Sequence, residues 1–323
     1  MARQARTYLE LARREGDPRY LGYAQRTLQQ WSDADRPHRL RLLQATLDQS
    51  LHRFDPALEE LQAVLETTTS PALRAQAHLT RATIELVRGH YPAARDACSD
   101  LARERPGLMS ASCQAQVAAR TGHADAAYQA LQRELDRSNP SRDRTAAAWT
   151  LGTLADLAAQ LGQPAAPDHW EQVLTLTPGD LYARTQYADW LLQHSRPDAA
   201  LALTEGYDAV DSLAVLRAIA LTQLERDDTE LVAHLRQRFA EARWRGNLLH
   251  RRDYSRFLLD VENQPDDALQ VARDNWQQQR EPLDTRLLLR AARAADAADV
   301  EREVRDWLAD NNQTDARYPE TTP

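Results

Sequence analysis

A short phrase returns along this chain at nearly constant intervals. It is a small or polar residue, one further residue, a proline or aromatic, and then alanine or leucine. It reads Gly16-Asp17-Pro18 before Leu21, His52-Arg53-Phe54 before Ala57, and Gly89-His90-Tyr91 before Ala94. It returns as Gly122-His123-Ala124 before Ala127, Gly162-Gln163-Pro164 before Pro167, and Ser195-Arg196-Pro197 before Ala200. Weaker copies begin at Asp228, at Asn263-Gln264-Pro265 before Ala268, and at Asp296. The anchors lie 36, 37, 33, 40, 33, 33, 35 and 33 residues apart, a mean of 35. Two antiparallel helices with tight turns need about that many residues. The phrase marks the turn inside each hairpin, where one amphipathic helix stops and the next begins. Glycine closes a helix in the left-handed conformation. Asp17, Asp55 and Ser195 are the predicted N-caps, and proline is tolerated just inside a helix start. Ala57, Ala94, Ala127, Ala200 and Ala268 are small enough to let the second helix lie close against the first. Pro71, Pro106, Pro140 and Pro178 interrupt the chain between hairpins.

These units resemble tetratricopeptide repeats (TPR), and Gly89-His90-Tyr91-Pro92-Ala93-Ala94 through Pro106 carries the likeness best. The resemblance covers residues 2–308. Most units replace the early Trp and Gly of the family's first helix with smaller or polar residues. Asn275-Trp276 followed by Arg280-Glu281-Pro282, with Gly16-Asp17-Pro18-Arg19-Tyr20, also resembles a group of uncharacterised bacterial repeat proteins, often exported. The implied fold is all-α: a right-handed α-solenoid superhelix of about nine TPR-like helix-turn-helix repeats, continuous over residues 1–310. Each hairpin buries its apolar face on its neighbours. The longest interval contains Arg137 to Asp143, the predicted inter-repeat loop. Residues 311–323 carry two prolines, two asparagines and almost nothing apolar, so they are predicted to be a frayed or disordered tail.

Composition agrees with helices. Glycine and phenylalanine are scarce, and isoleucine occurs only at Ile84 and Ile219, too few β-branched residues for a sheet core. The chain has no lysine, so every cationic side chain other than histidine is arginine, whose planar fork grips carboxylates bidentately. A net charge of −8 argues against nucleic acid as partner. No apolar run is long enough to span a membrane. The predicted compartment is the periplasm where a signal peptide has been removed ahead of Met1, and otherwise the cytoplasm.

Catalytic signatures are missing. No glycine-rich phosphate loop, HExxH or HxxxH pair, or GxSxG elbow occurs, and the carboxylates are spread evenly. The expectation is no enzyme, no cofactor and no metal. Cys98 and Cys113 fall on adjacent helices and read equally as two buried core thiols or as a disulfide between neighbouring units, which would imply an oxidising compartment. Six of the seven tryptophans suit packing between hairpins. Trp149 is phased towards the inner surface.

By resemblance, the first helix of each unit lines a concave groove. Phasing from the turn anchors places Arg39, Thr46, Gln49, Gln76, Thr83, Ser112, Gln116, Arg120, Trp149, Asp156, Gln160, Tyr182, Thr185, Asp189, His250, Asp253, Arg286, Arg290 and Arg293 there. Arg286, Arg290 and Arg293 form a cationic stripe on one helix face, suited to an acidic segment. Asp156 and Asp189, at equivalent positions of successive units, suit a basic one. A second basic region from Arg236 to Arg256 interleaves arginines with Trp244 and Tyr254. The function this predicts is a non-catalytic scaffold holding a partner protein or peptide in the groove. The alternative is a regulatory or sensor subunit binding a small molecule or signalling peptide, and terminal repeats without a polar cap would allow homo-oligomers.

Overall fold

The computed structural model describes residues 1–31, 36–139, 141–246 and 248–320. Pro140 and the last residues of the expected tail, 321–323, lie outside them. Among the described residues the chain is all α-helical, an α-solenoid of helical repeats whose eighteen helices follow one another as hairpins. The first unit comprises Met1–Ala119 and His123–Thr153, the second Arg120–Gly122 and Leu154–Pro323.

In the first unit the hairpins are α1 (Ala2–Glu15) with α2 (Arg19–Leu28), α3 (His38–Ser50) with α4 (Phe54–Thr67), α5 (Pro71–Arg88) with α6 (Tyr91–Glu104), and α7 (Leu108–Ala119) with α8 (Ala124–Arg137). Helix α9 (Arg144–Gln160) follows, its residues up to Thr153 belonging to the first unit and those from Leu154 to the second. The second unit adds α10 (Ala166–Leu176), α11 (Leu181–Gln193), α12 (Pro197–Leu203), α13 (Asp211–Gln223), α14 (Thr229–Trp244), α15 (Arg251–Asp260), α16 (Pro265–Trp276), α17 (Pro282–Ala294) and α18 (Ala298–Asp310). No described helix is long and apolar enough to cross a membrane.

The turn phrase does its predicted work. Gly16, Gly89, Gly122 and Gly162 close their helices with positive φ. His52, Ser195, Asn263 and Asp296 take the same conformation at φ 52–55°, at the cost a β-carbon imposes there. The seventh turn differs: the left-handed residue is Glu225, three positions before Asp228, which instead precedes α14. The expected N-caps also differ. Because each turn closes so tightly, the residue before the helix is Pro18, Arg53 or Arg196, while Ser195 is used for the left-handed step and Asp55 falls inside the first turn. Asp17 instead accepts from the Arg19 backbone N–H at 2.9 Å. Side-chain caps are found between hairpins, where Asp180 accepts from Ala183 N and Asp143 from Ala146 N, both at 2.9 Å.

The small residues after each turn are buried: Ala57, Ala94, Ala200 and Ala268 fully, Ala127 nearly so. One core cluster joins Leu42 and Ala45 of α3, Phe54, Ala57, Leu61 and Val64 of α4, and Ala77 and Ile84 of α5. The next joins Ala75 and Ala82 to Ala94, Ala97, Cys98 and Leu101, and on to Cys113 and Val117. Each cluster draws on three successive helices, so neither the α3–α4 nor the α5–α6 hairpin completes its own core. Cys98 and Cys113 are disulfide-bonded inside the second cluster, which resolves the two readings in favour of the bridge between α6 and α7.

Trp170 and Trp276 are core residues, but Trp31, beyond the end of α2, and Trp244, at the end of α14 and 86% exposed, are not, so packing between hairpins does not hold for these two. The phrase Asn275-Trp276…Arg280-Glu281-Pro282 is a turn held by buried polar bonds. Asn275 Nδ2 donates to Asp284 Oδ1 at 2.8 Å and Trp276 Nε1 to Thr285 Oγ1 at 3.1 Å. Arg280 lies over the Trp276 ring at 4.2 Å, and Arg252 pairs with both Glu281 and Asp284.

Residues 311–320 are not frayed. Gln313 and Asp315 are buried, and Arg317 pairs with Asp315 at 2.6 Å. Ala316 N donates to Gln160 O, and Gln160 Nε2 donates to Thr314 O, both at 2.8 Å. Low apolar content suggested disorder, yet this segment is held by hydrogen bonds and an ion pair, which hydropathy does not count.

Reducing the disulfide, which spans 15 residues, is expected to lower unfolding free energy by roughly 3 kcal/mol through the freed denatured chain. Urea unfolding with and without reductant measures this, with the Cys98→Ala, Cys113→Ala double variant as the reductant-insensitive control.

Candidate functional site

The first helices of successive hairpins are joined by polar side chains, and many of these come from the predicted groove. In the first unit, Ser112 of α7 meets Thr150 of α9 at 3.0 Å, and Gln116 donates to Thr153 at 3.1 Å. In the second unit, Arg120 donates to Gln160 at 3.0 Å and Tyr182 of α11 donates to Asp156 of α9 at 2.8 Å. Thr185 meets Ser212 of α13 at 3.2 Å, and His250 meets Asp211 at 3.0 Å. Arg290 of α17 pairs with Asp260 of α15. A helical residue three or four positions on returns to the same face, so each first helix offers several such contacts to its neighbour.

Other predicted residues stand differently. Arg39 and Gln76 are exposed on their helices, while Gln49, Trp149 and Asp253 are half-buried. Thr46 and Thr83 turn their hydroxyls to Leu42 O and Leu79 O of their own helices, at 2.8 and 3.0 Å.

The expected cationic stripe is not a free grip for an acidic segment. Arg286 is 4% exposed and pairs with Asp189 at 2.7 Å; Arg290 pairs with Asp260; Arg293 pairs with Glu301 of α18 at 2.8 Å and also donates to Glu320 O. Asp189 is likewise occupied, because Arg256 holds its other oxygen at 2.7 Å. The reason is charge pairing across helices: the arginines of α15 and α17 meet carboxylates on α11 (Asp189), α15 (Asp260) and α18 (Glu301). Burial alone would raise the Asp189 carboxyl, but Arg286 and Arg256 hold it well below the usual carboxylate range. Burial pulls the Arg286 guanidinium down to about 10 against Asp189. The second basic region disperses in the same way: Arg236 pairs with Glu262, Arg238 with Asp211, and Arg245 with Glu241, while Arg243 reaches the Tyr254 hydroxyl.

Beside these pairs lies a cavity of about 910 Å³. Arg256, Asp260, Arg286 and Arg290 line it from α15 and α17, and Trp190 and His194 from the end of α11. The Trp190 and His194 rings stack at 3.8 Å. Residues Ala316, Arg317 and Pro319 form another part of its wall. Of the predicted residues, only Arg286 and Arg290 line it. Arg256 and Asp260 were legible as an i, i+4 pair on α15, whereas Arg317 carried no signal because its segment read as disordered. Among the described residues, no His, Cys, Asp and Glu side chains converge in a group able to hold a metal ion.

Asp156 is a second unusual carboxylate. Its Oδ2 accepts from Tyr182, but its buried Oδ1 has no hydrogen-bond partner among the described residues. Removal from water pushes its pKa from 3.8 up to about 6, against the Tyr182 hydrogen bond and the charges of Arg317 and Arg120. A raised carboxylate pKa means the folded chain binds the proton more tightly than the unfolded one, so the ionised group costs stability above that pKa. Asp156→Asn is therefore expected to stabilise the protein at pH 7.5 by on the order of 1 kcal/mol. The gain should fade as pH falls through the window from about 6 to 3.8, as read by thermal unfolding at stepped pH.

No protein-family model matches the chain, and no curated protein matches it. Among solved structures it is similar to the crystal structure of the P58(IPK) TPR domain at 2.5 Å. The identity is 14% and the TM-score 0.24, over 91% of this chain and 99% of that one. The repeat fold therefore rests on the helices, turns and shared cores described above.

Proposed function

We propose that this protein is a non-catalytic scaffold that holds a partner protein or peptide along the faces of its first helices. The observation that supports this is the run of polar contacts between equivalent first-helix positions, Ser112 to Thr150 and Gln116 to Thr153 in one unit, Asp156 to Tyr182 and Thr185 to Ser212 in the other. Helices that needed only to pack would place apolar residues there. Ser112, Thr150 and Thr153 are themselves buried; the exposed first-helix side chains, Arg39 and Gln76 in the first unit and Tyr182 in the second, suit an extended segment that exchanges backbone hydrogen bonds with side chains. The Cys98–Cys113 disulfide supports an oxidising compartment such as the periplasm as its place of work.

A second reading is carried by the cavity of the second unit. About 910 Å³ lined by arginines, aromatics and apolar side chains lies in the size range of small-molecule sites. On this reading the chain is a regulatory or sensor subunit.

Photo-crosslinking residues placed at Gln76 and Tyr182, and at Glu59 of α4 as an outer control, separate the scaffold from its absence. The scaffold predicts that both first-helix positions capture the same protein from an extract of the source organism while Glu59 captures none. Equal capture from all three positions, or none from Gln76 and Tyr182, would contradict it.

A further inference from the structure

The cavity of the second unit is lined by a buried arginine whose donors its neighbours do not all satisfy. Arg256 and Arg286 pair with Asp189, Arg256 and Arg290 with Asp260, and Arg317 with Asp315. Arg317 also faces the Asp156 carboxylate, so the four guanidinium groups are matched in charge by four carboxylates. One of the four is incompletely bonded. Arg286 gives Nη2 to Asp189, but among the described residues its buried Nη1 has no hydrogen-bond partner. A buried cationic N–H left unmade is costly, and native structures seldom leave one without a reason. Arg290, next along the same face of α17, keeps 36% of its side chain exposed at the cavity.

The rest of the lining is not that of a site for a bare inorganic ion. Leu192, Ile219, Pro164 and Pro319 stand around the arginines, with Trp190 beside them. The chain's own residues 314–316 already take the hydrogen-bonding groups of Gln160 at this wall, through Thr314 O and Ala316 N. That closes the side along which a peptide backbone would otherwise pair and leaves a compartment of small-molecule size.

We propose that this cavity binds a small organic acid, its single carboxylate received by Arg286 and Arg290 and its apolar skeleton lying against Trp190, Ile219 and Pro319. The inference rests on the small-molecule reading of the cavity and names the ligand class for it. One carboxylate supplies an acceptor for Arg286 Nη1. A planar fork receiving a carboxylate at a partly desolvated site is the arrangement arginine serves best.

Calorimetric titration of the full chain at low ionic strength tests it, with benzoate and hexanoate as the acids, benzamide and hexanol as their uncharged counterparts, and inorganic phosphate as the bare anion. The expected result is saturable binding of at least one acid, no binding of its uncharged counterpart, and a loss of roughly tenfold or more in Arg290→Gln, whose removed side chain is partly exposed and leaves the core intact. The Asp189→Asn, Arg286→Met double variant, which removes a buried pair together, should lose the acid as well. Equal binding of acid and uncharged counterpart would keep the small-molecule cavity and overturn the carboxylate assignment. Binding of phosphate alone, or unchanged acid affinity in Arg290→Gln, would also overturn that assignment. No binding of any probe at up to roughly 10 mM, weaker than about 3 kcal/mol of affinity, would overturn both readings.

Discussion

A two-helix hairpin has an apolar face wider than it can cover by itself, and the organisation of this chain follows from that constraint. The core clusters show it directly. Ala57 and Leu61 of α4 share a core with Ile84 of α5, and Cys98 of α6 with Cys113 of α7. Such sharing requires helices to reverse within a few residues and lie close together. The left-handed residue at each turn gives the reversal, and the buried alanine after it gives the approach. Where glycine is absent, as at His52 or Ser195, the chain accepts a strained backbone to keep the geometry.

Polar chemistry is then confined to what the packed hairpins leave over. A first helix has one face in the core and another towards its neighbours' first helices, and there hydroxyls, amides and ions meet in pairs. With arginine as the only strong cation, the ion pairs other than those of histidine are made by a planar fork able to hold two carboxylates or two oxygens. Arg256 uses that capacity fully, bridging Asp189 and Asp260, while Arg286 uses only part of it. The same scarcity explains why residues 311–320 stay in place: Arg317 on Asp315 and the Gln160 contacts substitute for an apolar anchor.

Much of the helical architecture was legible because turn chemistry is local. A left-handed closer, a proline at a helix start and a small residue soon after are written within six residues, and the period follows. Of the residues phased from those turns, Ser112, Gln116, Asp156 and Tyr182 meet side chains of a neighbouring helix. What it could not supply was the partner of each charge. Asp189 and Arg286 lie far apart in sequence, and Arg286 read alone looked like a surface cation when it is buried against Asp189. The segment around Arg317 misled for a related reason: its order comes from polar contacts made over a long separation, which neither hydropathy nor local propensity registers. The exposed Trp244 shows the converse, an aromatic at a helical position that finds no core.

The reading of the second unit turns on Asp189 and Arg286 being a buried pair and not two independent groups. A double-mutant cycle with Asp189→Asn, Arg286→Met and the combined variant, followed by urea unfolding, measures this directly. Each single change should destabilise by about 3–5 kcal/mol, because it leaves the other charge buried alone. The combined variant should recover much of that loss, giving a coupling of roughly 2 kcal/mol or more. Additive effects, with no coupling between the two positions, would contradict the pairing and the cavity charge built upon it.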